Sequence, residues 1–234
     1  MTSNLSKFIL LGVASTAMAT LVACGGGNSE SVYGLTGVAA KGLAIKQADV
    51  TVSCLSGSSK STTNDTGFYG VAITNGVGPC LVKVTKGTES YYSIAPASAT
   101  GSAIANVNPI SNAIVNALVA SKGSVTPEKL VTAAYEPKAT DLIEAVKSTL
   151  AVINAALPAN LQLPLGTDLL GDPAFKAATS PGASDGSTLD KALDALVVDG
   201  ATSLSDALIS SINSTVESVV DLNPTGSTGG TSPQ

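Results

Sequence analysis

The sequence predicts an α+β chain in two parts, a β-sandwich followed by an all-α helical domain. Three observations carry this. Residues 33–105 are short β-rich runs punctuated by Gly, Asn, Asp and Ser, the pattern of an all-β sandwich. Composition changes at Asn106-Val107-Asn108-Pro109, after which apolar residues recur at helical spacing. Cys54 and Cys80 fall on the apolar faces of two alternating runs. The expected divisions are a leader over residues 1–23, a tether over 24–32, the sandwich over 33–105, the helical domain over 106–222 and a disordered tail over 223–234.

Lys7 supplies a short positive start, and residues 8–22 carry no charge. A charged start, a short apolar core and small residues before a cut mark a secretory signal. The run falls short of the about 20 apolar residues of a membrane span. It ends Leu21-Val22-Ala23-Cys24, followed by Gly25-Gly26-Gly27. This ending resembles the bacterial lipoprotein signal, in which the cysteine becomes the first residue and carries lipid. The resemblance implies acyl chains on the Cys24 sulfur and on its new amino group. Several chains anchor durably where one holds marginally, at about 0.8 kcal/mol per buried CH₂. In Gram-negative lipoproteins an Asp after the cysteine favours inner-membrane retention. Gly25 therefore implies the outer membrane, with the protein facing the periplasm or the cell surface. Residues 25–31 are small or polar, as a flexible tether requires.

In the first half, alternation puts Val50, Val52 and Cys54 on one strand face. It puts Cys80, Val82 and Val84 together on another, with Lys83 opposite. With Cys24 taken by lipid, Cys54 and Cys80 are an even pair in an oxidising compartment, expected as a structural disulfide. The loop it closes is worth roughly 3.5 kcal/mol in the chain-entropy model. Asn64-Asp65-Thr66-Gly67 is a turn signal and feeds a strand in which Tyr69, Val71 and Ile73 share a face. Of Tyr91 and Tyr92, one is expected to pack inward and the other to lie on the surface of a last strand.

Gly37-Val38-Ala39-Ala40-Lys41-Gly42, Ala48-Asp49-Val50-Thr51-Val52 and Thr62-Thr63-Asn64-Asp65-Thr66-Gly67-Phe68-Tyr69 together resemble the carboxypeptidase regulatory-like domain. Leu81 to Val84 would be its Val-rich strand. The resemblance covers residues 33–86 and implies a prealbumin-like Greek-key sandwich, an accessory or structural module without catalytic residues.

In the second half, Asn108 as N-cap with Pro109 at the first helical position opens a helix to about Ala120. Thr126-Pro127 repeats the device for a short helix to about Tyr135. Thr140 or Asp141 opens the longest helix, with Leu142, Ile143, Val146, Leu150, Ile153 and Leu157 on one stripe and Pro158 ending it. Residues 161–170 form an apolar loop broken by Pro164 and Gly166, and Asp172-Pro173 starts a short helix to Ala177. Ser187 and Asp190 resemble a capping box, with Leu189, Ala192, Leu193 and Leu196 inward. Ser203 and Asp206 form a second, aligning Leu204, Leu208, Ile212, Val216 and Val219.

The chain carries a net charge of −5 with no Arg, His or Trp and no basic run, which excludes nucleic acid. Without His there is no Ser-His or Cys-His pair and no imidazole ligand. Carboxylates, Ser-Lys pairs and oxygen sites for hard cations remain. The best acidic constellation is Asp185, Asp190 and Asp194, with Asp168 and Asp172 upstream. Asp190 and Asp194 stand four apart on one helix face and could bind Ca²⁺ or act as an acid/base pair. But Asp185 and Asp190 stand where first turns favour acids, and no Asp-x-Asp-x-Asp-Gly loop focuses ligands. No metal and no cofactor are expected. Ser58-Ser59-Lys60-Ser61 and Ser121-Lys122 are loop-like, solvated surface.

The expectation is a non-catalytic envelope lipoprotein, a binding or structural module held to the membrane by its lipid. Its partner would be an envelope protein or glycan. The alternatives are a hydrolase using Asp/Glu or Ser-Lys, and a small-molecule or lipid carrier. An exposed apolar groove between the halves would favour a peptide or lipid.

Overall fold

In the computed structural model the described residues are 31–123, 125–181, 183–197 and 203–220. Cys24, the leader and the tail beyond residue 222 lie outside them.

The fold is mixed α+β. Its strands are β1 (Val32–Val38), β2 (Ala40–Lys41), β3 (Leu43–Ala44), β4 (Asp49–Ser56), β5 (Ser58–Thr62), β6 (Phe68–Thr74), β7 (Val77–Lys86), β8 (Glu89–Ala95) and β9 (Ser102–Ile104). One sheet runs β6-β1-β9, with β9 parallel to β1, and the other runs β5-β4-β7-β8; β2 and β3 form a small separate hairpin. Period-two burial explains the pairing. Tyr33, Leu35, Tyr69 and Ile73 of the first sheet join Val50, Val52, Val82 and Val84 of the second in one buried apolar cluster. The Tyr69 hydroxyl, fully buried there, donates to the Ala105 carbonyl. The Asn64 carboxamide accepts from the amides of Thr66 and Phe68 at 2.9 and 3.0 Å, and Gly67 turns at φ 76°.

Cys54 and Cys80 stand opposite each other in the β4–β7 register and are joined by a disulfide. Tyr91 and Tyr92 depart from expectation. Both are half-buried, on opposite faces, with Lys41 5.5 Å and Lys83 5.6 Å from their ring centres. Ser58 to Lys60 is strand rather than loop, because it pairs with β4 as an edge.

The helices are α1 (Pro109–Ser121), α2 (Ala139–Ala156), α3 (Thr188–Leu196) and α4 (Asp206–Val219). α1 packs on the outer face of the four-stranded sheet and α4 packs against α1 and α2, so Leu81 and Ile94 share a cluster with Ile110, Ile114 and Leu118. At the start of α1 the Asn108 side chain accepts from the Ser111 amide at 2.9 Å, and the Ser111 hydroxyl accepts from the Asn108 amide at 2.9 Å. The same turn reaches the outermost strand, β8. The Tyr92 amide donates to Asn112 Oδ1 at 3.0 Å, and the Ser111 hydroxyl donates to the Tyr92 carbonyl at 2.9 Å.

Several helical expectations change. The segment after Thr126 is a 3₁₀ turn, Pro127–Val131, and stops at Thr132. Ile143 leaves the buried stripe of α2 at 51 % exposure, and Ala145 and Thr149 take its place. Asp172 starts a turn but no helix. Its side chain accepts from the Ala174 amide at 2.8 Å, and a five-residue run has too few bonds to propagate once Phe175 and Ala177 are drawn into the core. At α3 the capping box is half made, since Ser187 Oγ accepts from the Asp190 amide while the Ser187 amide donates to Lys176. Ser205, not Ser203, caps α4, because Leu204 is held by a bridge to Val197.

Candidate functional site

Among the described residues an apolar groove lies between the strand-bearing and helical halves. One wall is α2, where Leu142, Val146 and Leu150 follow at four-residue spacing with Ile143 on the lip. The opposite wall is Pro96 and Ile104, and the floor is the loop from Gly166 to Gly171. The space holds about 210 Å³. Beyond Ile104 it opens into a shallower cleft of about 730 Å³ lined by Gly34, Ser98 and Ser102, which shares Pro96, Ile104, Asp168 and Gly171 with the groove.

The floor is set by local chemistry. The Thr167 amide and hydroxyl both bond the Pro164 carbonyl, at 3.1 and 2.8 Å, and Gly166 takes φ 92°. That tight turn holds Leu165 out at 96 % exposure. Asp168 Oδ1 accepts from the Leu170 amide at 3.0 Å. Gly171 fits closely, since a Cβ would stand 2.7 Å from Asp168 Oδ2 and 3.2 Å from the Ile104 carbonyl, so a larger residue would have to shift the Asp168 carboxyl. Asn106, 1 % exposed, rivets the loop to the sheet. Its amide donates to Leu170, its Nδ2 donates to Asp172 at 2.8 Å, and its Oδ1 accepts from the Val38 amide at 3.1 Å.

The groove is thus apolar with a charged residue only at Lys147 and Asp168. Lys147 is paired with Glu144 at 2.8 Å. In a parallel ladder alternate residues point away from the partner strand. Ala105 bonds back to Thr36, so Ile104 directs its backbone outward, where Gly171 closes on its carbonyl. An occupant meets methyl and methylene groups.

Of the acidic residues singled out from sequence only Asp168 lines the groove, while Asp185 and Asp190 are engaged with the loop at 176–179. Asp185 accepts from the Thr179 amide at 3.2 Å and pairs with Lys176 at 3.4 Å. The Thr179 hydrogen bond, ahead of the Lys176 charge, holds the Asp185 carboxyl below its ordinary range. Asp190 is wholly buried, with Oδ2 accepting from the Ala178 amide at 2.9 Å and Oδ1 without a partner. Gly186 allows that approach, since a Cβ there would lie 2.1 Å from Oδ2. Burial, reinforced by Asp194 and Asp185, pushes the Asp190 carboxyl from 3.8 to about 6. Burial also raises Asp194, whose Oδ1 faces Gly42. Among the described residues no three His, Cys, Asp or Glu side chains are placed to hold a metal ion. Ser121, a Ser-Lys candidate, donates its hydroxyl to the Leu118 carbonyl at 2.9 Å.

The groove's location is what the sequence reading lacked. Two signals pointed to it: an apolar loop at residues 161–170, and Ile143 next to Leu142 on a helix with room for only one of them inside. No protein-family model, curated protein or solved structure matches the chain.

Proposed function

We propose that the protein is a non-catalytic cell-envelope lipoprotein, anchored to the outer membrane through Cys24, whose groove binds an alkyl chain. In this reading residues 33–105 form a carboxypeptidase regulatory-like Greek-key sandwich, and residues 106–222 a helical domain that supplies the second wall. The single observation that carries the ligand class is the groove itself, apolar on both walls with its backbone edge closed by Gly171. A glycan would need free hydrogen-bonding side chains or a stacking ring; the lining has no aromatic ring, and its polar side chains are engaged, Thr167 with Pro164, Asp168 with Leu170 and Lys147 with Glu144. The lipobox, Leu21 to Cys24, supports the compartment.

The test is titration of cis-parinaric acid, a fluorescent fatty acid, into the unlipidated mature chain carrying Cys24→Ser. Saturable fluorescence is expected, lost when Val146→Trp fills the groove and weakened by Ile143→Lys at the half-exposed lip. Absence of saturable binding to a chain with an unchanged circular dichroism spectrum overturns the proposal.

A further inference from the structure

We infer that the groove's occupant in the mature protein is an acyl chain of its own anchor at Cys24. This rests on the lipidation and alkyl-chain reading given above. The chain enters the fold beside the groove. Ser31 is fixed by the Asn75 amide at 2.7 Å, and Gly34 donates to Gly101 at 2.9 Å and pairs with Ser102 across the β1–β9 register. Gly34 and Ser102 line the outer cleft, which runs past Ile104 into the groove.

Seven residues, 24–30, precede Ser31. A seven-residue chain spans about 14 Å on average by random-coil scaling and at most about 24 Å fully extended. The acylated sulfur is therefore confined to the neighbourhood of the cleft, at an effective concentration of order mM. A free lipid has no such advantage.

The chemistry agrees. An alkyl chain needs no hydrogen bond, and the β9 edge that would register a peptide is closed at Ile104 by Gly171. Moving one chain from bilayer to groove exchanges one apolar surrounding for another, so the cost is small while the remaining chains keep the anchor. Leu165 at 96 % and Ile143 at 51 % exposure stand beside the mouth, an apolar rim suited to a membrane surface across which a chain passes.

The experiment uses the full chain, made in cells fed a fatty acid that carries an alkyl diazirine and irradiated in its own membrane. Peptide masses then locate the adducts, and mixing isotopically heavy and light protein before irradiation separates adducts within one molecule from those between two. Expected are intramolecular adducts on Ile104, Val146 or Leu150, abolished by Val146→Trp and reduced by Ile143→Lys. Lengthening the seven-residue tether fourfold is expected to lower their yield about eightfold, by the −3/2 power of length. An unlipidated Cys24 in the same digest overturns the anchor reading and this inference together. A lipidated Cys24 with adducts confined to membrane lipid, or indifferent to tether length, overturns this inference alone and leaves parinaric acid binding intact.

Discussion

The Asn106 amide donates to the Leu170 carbonyl at 2.6 Å, across the line where the strand-bearing half ends and the helical half has folded back. One buried residue thus ties the end of β1 to the groove floor, by its backbone at Leu170 and by its side chain at Val38 and Asp172. Asn106→Ala removes the bonds to Asp172 and Val38 and leaves the Val38 amide without its acceptor. The expected loss is about 2–4 kcal/mol in urea unfolding. Parinaric acid affinity should fall as well, because only the backbone bond to Leu170 then ties the floor to the sheet.

Asp190 predicts an unusual pH profile. Its carboxyl is raised to about 6, so between pH 4 and 6 the native state binds more protons than the unfolded state. Stability contributed by this group is therefore fully present at low pH and falls as pH rises through 6. Ionisation costs on the order of 2–3 kcal/mol by pH 7.5. The groups facing it are Asp194 and Asp185, which disfavour the charge, and Lys191, which favours it. Relative to wild type, Asp190→Asn should gain about 2 kcal/mol between pH 4.5 and 7.5, the rest of the loss being already incurred by pH 4.5. Urea midpoints at the two values check it, and equal differences at both would refute it.

Under the proposed lipoprotein reading, Leu165 should mediate membrane contact by itself, at 96 % exposure. The unlipidated chain is expected to co-sediment weakly with phosphatidylcholine vesicles. Leu165→Asp should reduce the partition about tenfold or more, as loss of one buried leucine implies, with no change in melting temperature.

Reduction of Cys54–Cys80 should lower stability by roughly 3.5 kcal/mol while leaving the β4–β7 pairing in the native state. Thermal scans with and without reductant measure this. Val52 and Val82 stay paired and buried beside it, so the far-ultraviolet spectrum at 25 °C should persist.

Much of the fold was legible because its signals are local. Val50, Val52 and Cys54 alternate, so one face is buried whatever lies across from it. Asn108 and Pro109 specify a helix start within four residues. Ile143 shows the limit. Periodicity puts Leu142 and Ile143 on one stripe, but which one enters the core depends on how α2 lies against α4 and the loop at 166–171, far away in sequence. Asp190 shows it again. Its position in the first turn of α3 was expected, while its burial follows from a backbone twelve residues earlier, at Ala178. The groove combines Pro96, Leu142 and Gly171, and no local pattern joins them.

The contact between the first turn of α1 and β8 has a further consequence. β8 is the outer strand of its sheet, and Ser111 and Asn112 occupy the backbone groups of Tyr92 that another strand would seek. The helical half therefore shields the β8 edge of the sheet at Tyr92 from pairing with another strand. A fragment ending before Pro109 would leave that edge bare and prone to aggregate, so the strand-bearing half needs the start of α1 to stay monomeric.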